Sequence, residues 1–477
     1  MNTKQLHLDF TNIVLAVAIV GCGALVRAAE VASPPNFVFI LGEGHGWSSL
    51  SVQMDDAVPE SKSAVARTPS FEKLARGGMR FANFYAPSPR CTPSRASLLT
   101  GKSPAQLHMT FVNEGRGENG AGANKPLIAP AASTELAAGE VTIAQLLKAG
   151  GYATAHFGKW HVGRVSPSAH GFDENDGANN NGGPEEVANP HPKQLDAMTA
   201  RGLDFMARQT KAGKPFYLQI SHYASRQGGA ASPEALAAVK GWGGKLSERE
   251  MIEAAADLDL DTAFGRVLEK LDELGIANST YVVFTTDHGT PGRNSPFAGG
   301  KGTVSEGGLR VPLIIRGPGI QAGACSHVRA IGEDLFPTIA ALAHADAPLP
   351  KGIEGGSLAS VLANGGKGAV SRPREEFVVH FPHYDKDIIG PASAIYSGDY
   401  KLIRVYETGA LKLYQIRDDP SERQDLAARM PDKVKELNQR LSDYLSKTNA
   451  QMPKPNPAYD AARPKEAAGG ERRRERK

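Results

Sequence analysis

Cysteine is scarce in this chain: Cys22, Cys91 and Cys325 are the only three in 477 residues. So few thiols exclude a small disulfide-stapled scaffold and point to a chain that relies on a large core. A dominant charge is lacking too. The formal net charge is +3, too small to argue for nucleic acid. Part of it sits in the tail Glu471-Arg472-Arg473-Arg474-Glu475-Arg476-Lys477, which reads as a solvated end. No apolar run reaches the length of a bilayer span, and no repeat period recurs, which excludes a membrane bundle and a solenoid. What is present is an ordinary globular composition, 41% hydrophobic and 22% charged, in a chain long enough for a large domain and a smaller one.

The N-terminus reads as an export signal over residues 1–29. Lys4 supplies a weak charged region, and Ile13 to Val20 form an apolar run too short to cross a membrane. Two cleavage readings stay open. Val26-Arg27-Ala28 offers small residues to an ordinary signal peptidase, whereas Ile19-Val20-Gly21-Cys22 has the form of a lipobox that would lipidate Cys22. Either way the expectation is an exported protein, periplasmic or secreted.

Chemistry concentrates in Arg90-Cys91-Thr92-Pro93-Ser94-Arg95-Ala96-Ser97-Leu98-Leu99-Thr100-Gly101. Thr92 reads as a helix N-cap, Pro93 as the first helical residue and Gly101 as the stop. Cys91 then lies where free backbone amides and the helix dipole favour an anion. Arg95, four residues on, shares its face and adds a fixed positive charge. A thiol so placed ionises easily. A lone cysteine is more often a small buried residue, so the wording of the motif decides.

Cys-x-Pro-Ser-Arg followed by Leu-Leu-Thr-Gly resembles the signature of the type I sulfatases, within the alkaline phosphatase superfamily. Further stretches carry the same resemblance. Gly158-Lys159-Trp160-His161-Val162-Gly163 is similar to the family's second signature. Gly300-Lys301 with Glu306-Gly307-Gly308-Leu309-Arg310 is similar to its Gly-Lys…Glu-Gly-Gly-x-Arg element. Over residues 35–345 the resemblance is strong. It implies an α/β fold: a large, mainly parallel (mixed) sheet sandwiched by helices, alkaline-phosphatase-like, with a smaller C-terminal antiparallel sheet and helix.

The residues themselves support that architecture. Phe37–Leu41, Tyr152–Phe157, Pro215–Ile220 and Thr280–Thr285 are short apolar runs of the kind that form buried parallel strands. Each ends in a loop with charge-competent groups: Glu43; Lys159 and His161; His222; Asp287 and His288. In an open parallel sheet such ends share one edge, where ligands bind. Taken singly, each is an ordinary loop residue. The predicted boundaries are a catalytic domain over 34–347, a C-terminal subdomain over 375–447 and a disordered tail over 452–477. A long amphipathic helix is expected over 248–274, with Asp257, Asp259 and Asp261 on a solvated and capping face.

The resemblance also implies roles. Cys91 would be converted by a formylglycine-generating enzyme to an aldehyde whose hydrate attacks sulfur. Arg95 would hold the hydrate, Lys159 and Lys301 the sulfate oxygens, and His161 would take the second hydroxyl's proton. One divalent cation, Ca2+, would be held by Glu43, residue 91, Asp287 and His288. The chain departs from the family at two places. Glu43-Gly44 stands where paired aspartates are usual, which predicts weaker cation binding; Asp55 and Asp56 are the nearest acids that could compensate. Arg226 stands where a histidine usually assists the leaving group, so that role passes to His222 or is lost. The expected activity is release of sulfate from a sulfated carbohydrate or aryl sulfate. The alternatives are a phosphate or phosphonate monoester hydrolase of the same superfamily and a catalytically weakened sulfatase-like glycan binder.

Overall fold

The computed structural model describes residues 33–463, apart from 113–118, 120–122, 181–193, 224–230, 292–293, 346 and 386–388. The leader with Cys22, Arg226 and the basic C-terminal tail therefore lie outside the described residues.

Eight strands form the main sheet: β1 (Asn36–Gly42), β2 (Met79–Phe81), β3 (Ala153–Gly158), β4 (Glu174–Asn175), β5 (Phe216–Ser221), β6 (Thr280–Thr286), β7 (Leu313–Arg316) and β8 (Ala324–Ser326). Their spatial order is β8-β2-β7-β6-β1-β5-β3-β4. β6, β1, β5, β3 and β4 run parallel, and β7 runs against both of its neighbours. The sheet is thus mixed, with a parallel centre.

Both faces of that centre are covered, which is why its strands lack polar alternation. Phe37, Phe39 and Leu41 of β1 pack on one side with α2 (Cys91–Thr100), α3 (Ile143–Ala149) and α6 (Leu335–Leu342). Val38 and Ile40 face the other side, against α1 (Pro69–Gly77), α4 (Leu195–Lys211) and α5 (Glu248–Glu273). α3 opens on a capping box of Thr142 and Gln145, and α5 on one of Ser247 and Glu250.

The acidic residues of α5 cap, as expected, but they are not all solvated. Asp261 is buried and accepts from the Ser70 and Phe71 amides, closing the N-terminus of α1. Thr68, the N-cap of α1, makes no capping bond with its own side chain, which accepts instead from the Ser51 amide. Asp259 accepts from the amide and hydroxyl of Ser232. Asp257 is buried against His45 at 3.2 Å.

Beyond the main sheet, β9 (Phe377–Phe381), β10 (Ala392–Ser397), β11 (Tyr400–Val405) and β12 (Leu411–Gln415) form an antiparallel meander. Val378, Ile395, Leu402 and Leu413 face α7 (Pro431–Lys447). The opposite face, with Val379, Tyr396 and Ile403, packs on Tyr85, Leu309 and Ile331. Within the tail read from the sequence as disordered, Lys454 and Pro455 pair with Ile128 and Leu127.

Replacing the buried Asp261 by Ala removes the acceptor for two helix-end amides. Urea unfolding is expected to show a loss of about 1–2 kcal/mol.

Candidate active site

The parallel centre places four loops side by side. Gly42 is in register with Thr286, Leu41 with Ser221, and Ser221 with Gly158. The residues that follow, Glu43, Asp287, His222 and Lys159, therefore leave one edge of the sheet together.

α2 faces that edge. Its first residue is Cys91 itself, with Arg90 as N-cap and no side-chain cap. The helix thus starts two residues earlier than the sequence reading, and Thr92 lies inside it. Ser94 fixes the approach: its hydroxyl donates to the Ser88 carbonyl and accepts from the Ser88 amide. Gly101 ends the helix at φ +67°, a left-handed conformation that glycine adopts without strain.

Glu43 is the hub. Its Oε2 accepts from Arg95 Nη2 and from Lys159 Nζ, both at 3.0 Å, and its Oε1 lies 3.4 Å from Lys301 Nζ. Arg95 also donates to Asp287 Oδ2 at 3.1 Å and to the Lys159 carbonyl at 2.7 Å. Cys91 Sγ sits 3.2 Å from Glu43 Oε1, 3.1 Å from His288 Nε2 and 3.6 Å from Lys301 Nζ. All of these side chains are buried.

Burial opposes every charge in this cluster, and the partners decide the outcome. Lys159 and Lys301 hold Glu43 well below the usual carboxylate range despite its desolvation. The Cys91 thiol also falls well below its ordinary value: burial and Glu43 work against the thiolate, but Lys159, Lys301 and His288 outweigh them. His288 loses to burial but gains more from Asp287 and Cys91, and is pushed up to about 9. Its Nδ1 faces the Gly289 carbonyl at 2.9 Å, which leaves Nε2 aimed at the sulfur.

Glu43, Cys91, Asp287 and His288 each offer one donor atom, all within 4.8 Å of one another. Oxygen, nitrogen and sulfur donors at that spacing fit one divalent cation. A second carboxylate is missing at Gly44, whose amide instead donates to Asp287 Oδ1 at 3.1 Å. Neither Asp55 nor Asp56 compensates. Asp56 pairs with Arg80, and Asp55 caps the Ala57 amide.

Two further expected residues are histidines. His161 is buried beside Lys159 in a left-handed backbone conformation, φ +59°. His222 is buried too, and burial together with His45 pushes it down to about 3, so its ring is neutral at physiological pH. None of the hydrogen bonds or ion pairs among the described residues joins His222 to the Cys91 cluster.

Residues 35–345 match the family model described as Sulfatase, and residues 300–451 the one described as N-sulphoglucosamine sulphohydrolase, C-terminal. The chain belongs to the sulfatase family. This sulfatase is 31% identical to human arylsulfatase A over 427 residues, covering 79% of this chain and 76% of that protein. It is also 31% identical to N-acetylgalactosamine-6-sulfatase of Sus scrofa over 397 residues, covering 74% and 70%. The crystal structure of Ps i-CgsB in complex with k-i-k-neocarrahexaose shares the fold, with a TM-score of 0.70 at 21% identity over 88% of this chain and 94% of that one. The enzyme class follows from membership: a sulfuric ester hydrolase. Among the described residues no helix is long and apolar enough to cross a membrane.

Sequence reasoning missed the groups that hold the site from behind. Arg90 pairs with Asp385, and Glu306 with Lys401. Lys401 carried one signal: it shares a strand face with the apolar Ile403, so it points into protein rather than solvent.

Glu43→Ala leaves Arg95, Lys159 and Lys301 short of a buried counter-charge. Denaturant unfolding is expected to show a loss of about 3–5 kcal/mol, far more than an exposed pair would give.

Proposed function

We propose that this sulfatase removes sulfate from a sulfated carbohydrate or aryl sulfate, using residue 91 as nucleophile after its oxidation to formylglycine. The observation that carries the reading is the position of Cys91. Its side chain opens α2 and is within 3.6 Å of Glu43, His288 and Lys301. No ordinary structural cysteine needs such surroundings. The substrate class rests on the relatives, whose names specify a sulfated amino sugar and a carrageenan oligosaccharide.

In this reading one hydroxyl of the residue 91 hydrate gives up its proton to solvent and attacks sulfur, and the bond from sulfur to the leaving oxygen breaks as that oxygen takes up a proton from solvent. Lys159 and Lys301 bind the non-bridging oxygens, where negative charge collects. His161 takes the proton of the second hydroxyl. Its oxygen then closes to a carbonyl, the carbon–oxygen bond to sulfate breaks, and the aldehyde returns ready for rehydration. A divalent cation, assigned as Ca2+, when bound lowers the cost of a negative oxygen at residue 91. Glu43, Asp287 and His288 would hold it. Arg95 keeps two of those groups in place through Glu43 Oε2 and Asp287 Oδ2. His222, a neutral ring, serves the leaving oxygen as a hydrogen-bond donor rather than as an imidazolium. Oxidation by a formylglycine-generating enzyme and export through the 1–29 leader complete the reading.

Two measurements test it. Peptide mass across residue 91 is expected to show the thiol replaced by an aldehyde. The same preparation should hydrolyse nitrophenyl sulfate at least about tenfold faster than nitrophenyl phosphate or phenylphosphonate. A retained thiol with no turnover would favour a glycan binder, and a reversed preference a phosphate or phosphonate hydrolase. His161→Ala is expected to lower kcat by about 10²–10⁴ with little change in KM, since the proton it takes moves only after sulfate is bound.

A further inference from the structure

The loop that carries Lys301 buries Val304 against the C-terminal sheet and is otherwise held by polar bonds. Gly302 donates to the Pro89 carbonyl, just ahead of Cys91, and Lys301 donates its amide to Thr290. Gly307 donates to Ala298, and Gly289 donates to Gly308. One short stretch, 298–308, therefore ties together the approach to Cys91, the Asp287–His288 loop and Lys301. It is packed too tightly for side chains in places: a Cβ on Gly308 would lie 2.1 Å from the Thr303 carbonyl oxygen.

Its far end is anchored by a buried charge. Glu306 Oε2 accepts from the Tyr85 hydroxyl at 2.8 Å, and Oε1 from the Tyr396 hydroxyl at 2.9 Å and Lys401 Nζ at 3.1 Å. Lys401 also reaches Glu422 Oε1 at 2.7 Å, and Glu422 Oε2 accepts the Glu306 amide at 2.8 Å. Lys401 and Glu306 are fully buried, and Glu422 nearly so. Lys401 comes from β11 and Glu422 from the turn after β12, both in the C-terminal meander. A second bond of the same kind joins Arg90, the residue before Cys91, to Asp385, whose carboxylate lies over Gly302.

A lysine buried with two carboxylates is a poor source of net stability, because desolvation consumes most of the attraction; what it fixes well is geometry. We propose that Lys401 is a positioning residue for the active site: by clamping Glu306 and Glu422 together it makes the C-terminal sheet the clasp that holds the 298–308 loop, and so Lys301, against residue 91. The proposal rests on the reading of Lys301 as a sulfate ligand. It goes beyond that reading in assigning the C-terminal sheet a part in catalysis.

The test compares Lys401→Met, Lys401→Arg and Glu422→Gln in the full-length enzyme. Lys401→Met should lower kcat/KM on nitrophenyl sulfate by about 100-fold, the scale of a misplaced catalytic group. It should also weaken inhibition by inorganic sulfate about tenfold. Hydrogen exchange should speed up across 298–308 while the amides of β9–β12 stay protected. Lys401→Arg, which keeps the charge, should recover part of the rate, and Glu422→Gln should give a smaller version of the same pattern. Exchange that rises equally in the meander and the loop would overturn the proposal by showing general loosening, as would unchanged sulfate inhibition. If Lys401→Met does not fold, Glu422→Gln decides by the same readouts. If the wild type hydrolyses no sulfate ester, the reading of Lys301 fails, yet the exchange pattern still decides whether the clasp exists.

Discussion

The structure depends on one carboxylate. Glu43 sits where three cations converge, and without it Arg95, Lys159 and Lys301 would repel one another in a buried space. Its two oxygens divide the work. Oε2 holds Arg95, which also braces Asp287, and Lys159, while Oε1 faces Cys91, His288 and Lys301. The same group thus anchors the framework and contributes to the reacting side. Desolvation would normally protonate a buried carboxyl; the surrounding cations prevent it.

That arrangement needs the parallel sheet. Glu43, Lys159 and Asp287 come from positions more than a hundred residues apart, yet each follows directly from a strand end. β6, β1, β5 and β3 are neighbours running in one direction, so the chain delivers these groups at strand spacing without long loops to order. β7 reverses direction and ends the run. The charged edge is therefore confined to the sheet's parallel centre, opposite the start of α2.

This logic also explains what could be read from the sequence. Strand ends were legible because an apolar run that breaks off at a charged group reports both the element and its polar exit. Lys159, Asp287 and His288 were placed at one sheet edge that way, the roles expected of them came from the resemblance, and the Cys91 helix was read from its Pro and Gly punctuation. The helix start was displaced by two residues because an extended Arg90, not the Thr92 hydroxyl, precedes the first turn. Asp257 and Asp261 were misread as partly solvated because helix periodicity cannot tell an outer face from one that meets another helix end. The Arg90–Asp385 and Glu306–Lys401 pairs join residues 295 and 95 apart. No local pattern encodes such a distance; only the docking of the C-terminal sheet creates it.

Gly44 shows how a departure from the family pattern is absorbed. Its backbone lies at φ +64°, a conformation that a side chain resists. Its amide donates to Asp287 Oδ1, which also lies 3.5 Å from His288 Nε2. On the proposed reading the position supplies no side-chain cation ligand, while its backbone orients one that remains. With one carboxylate fewer, the three cations around residue 91 are balanced less completely, so on the proposed reading a divalent cation would be drawn less strongly and an anionic ester more strongly.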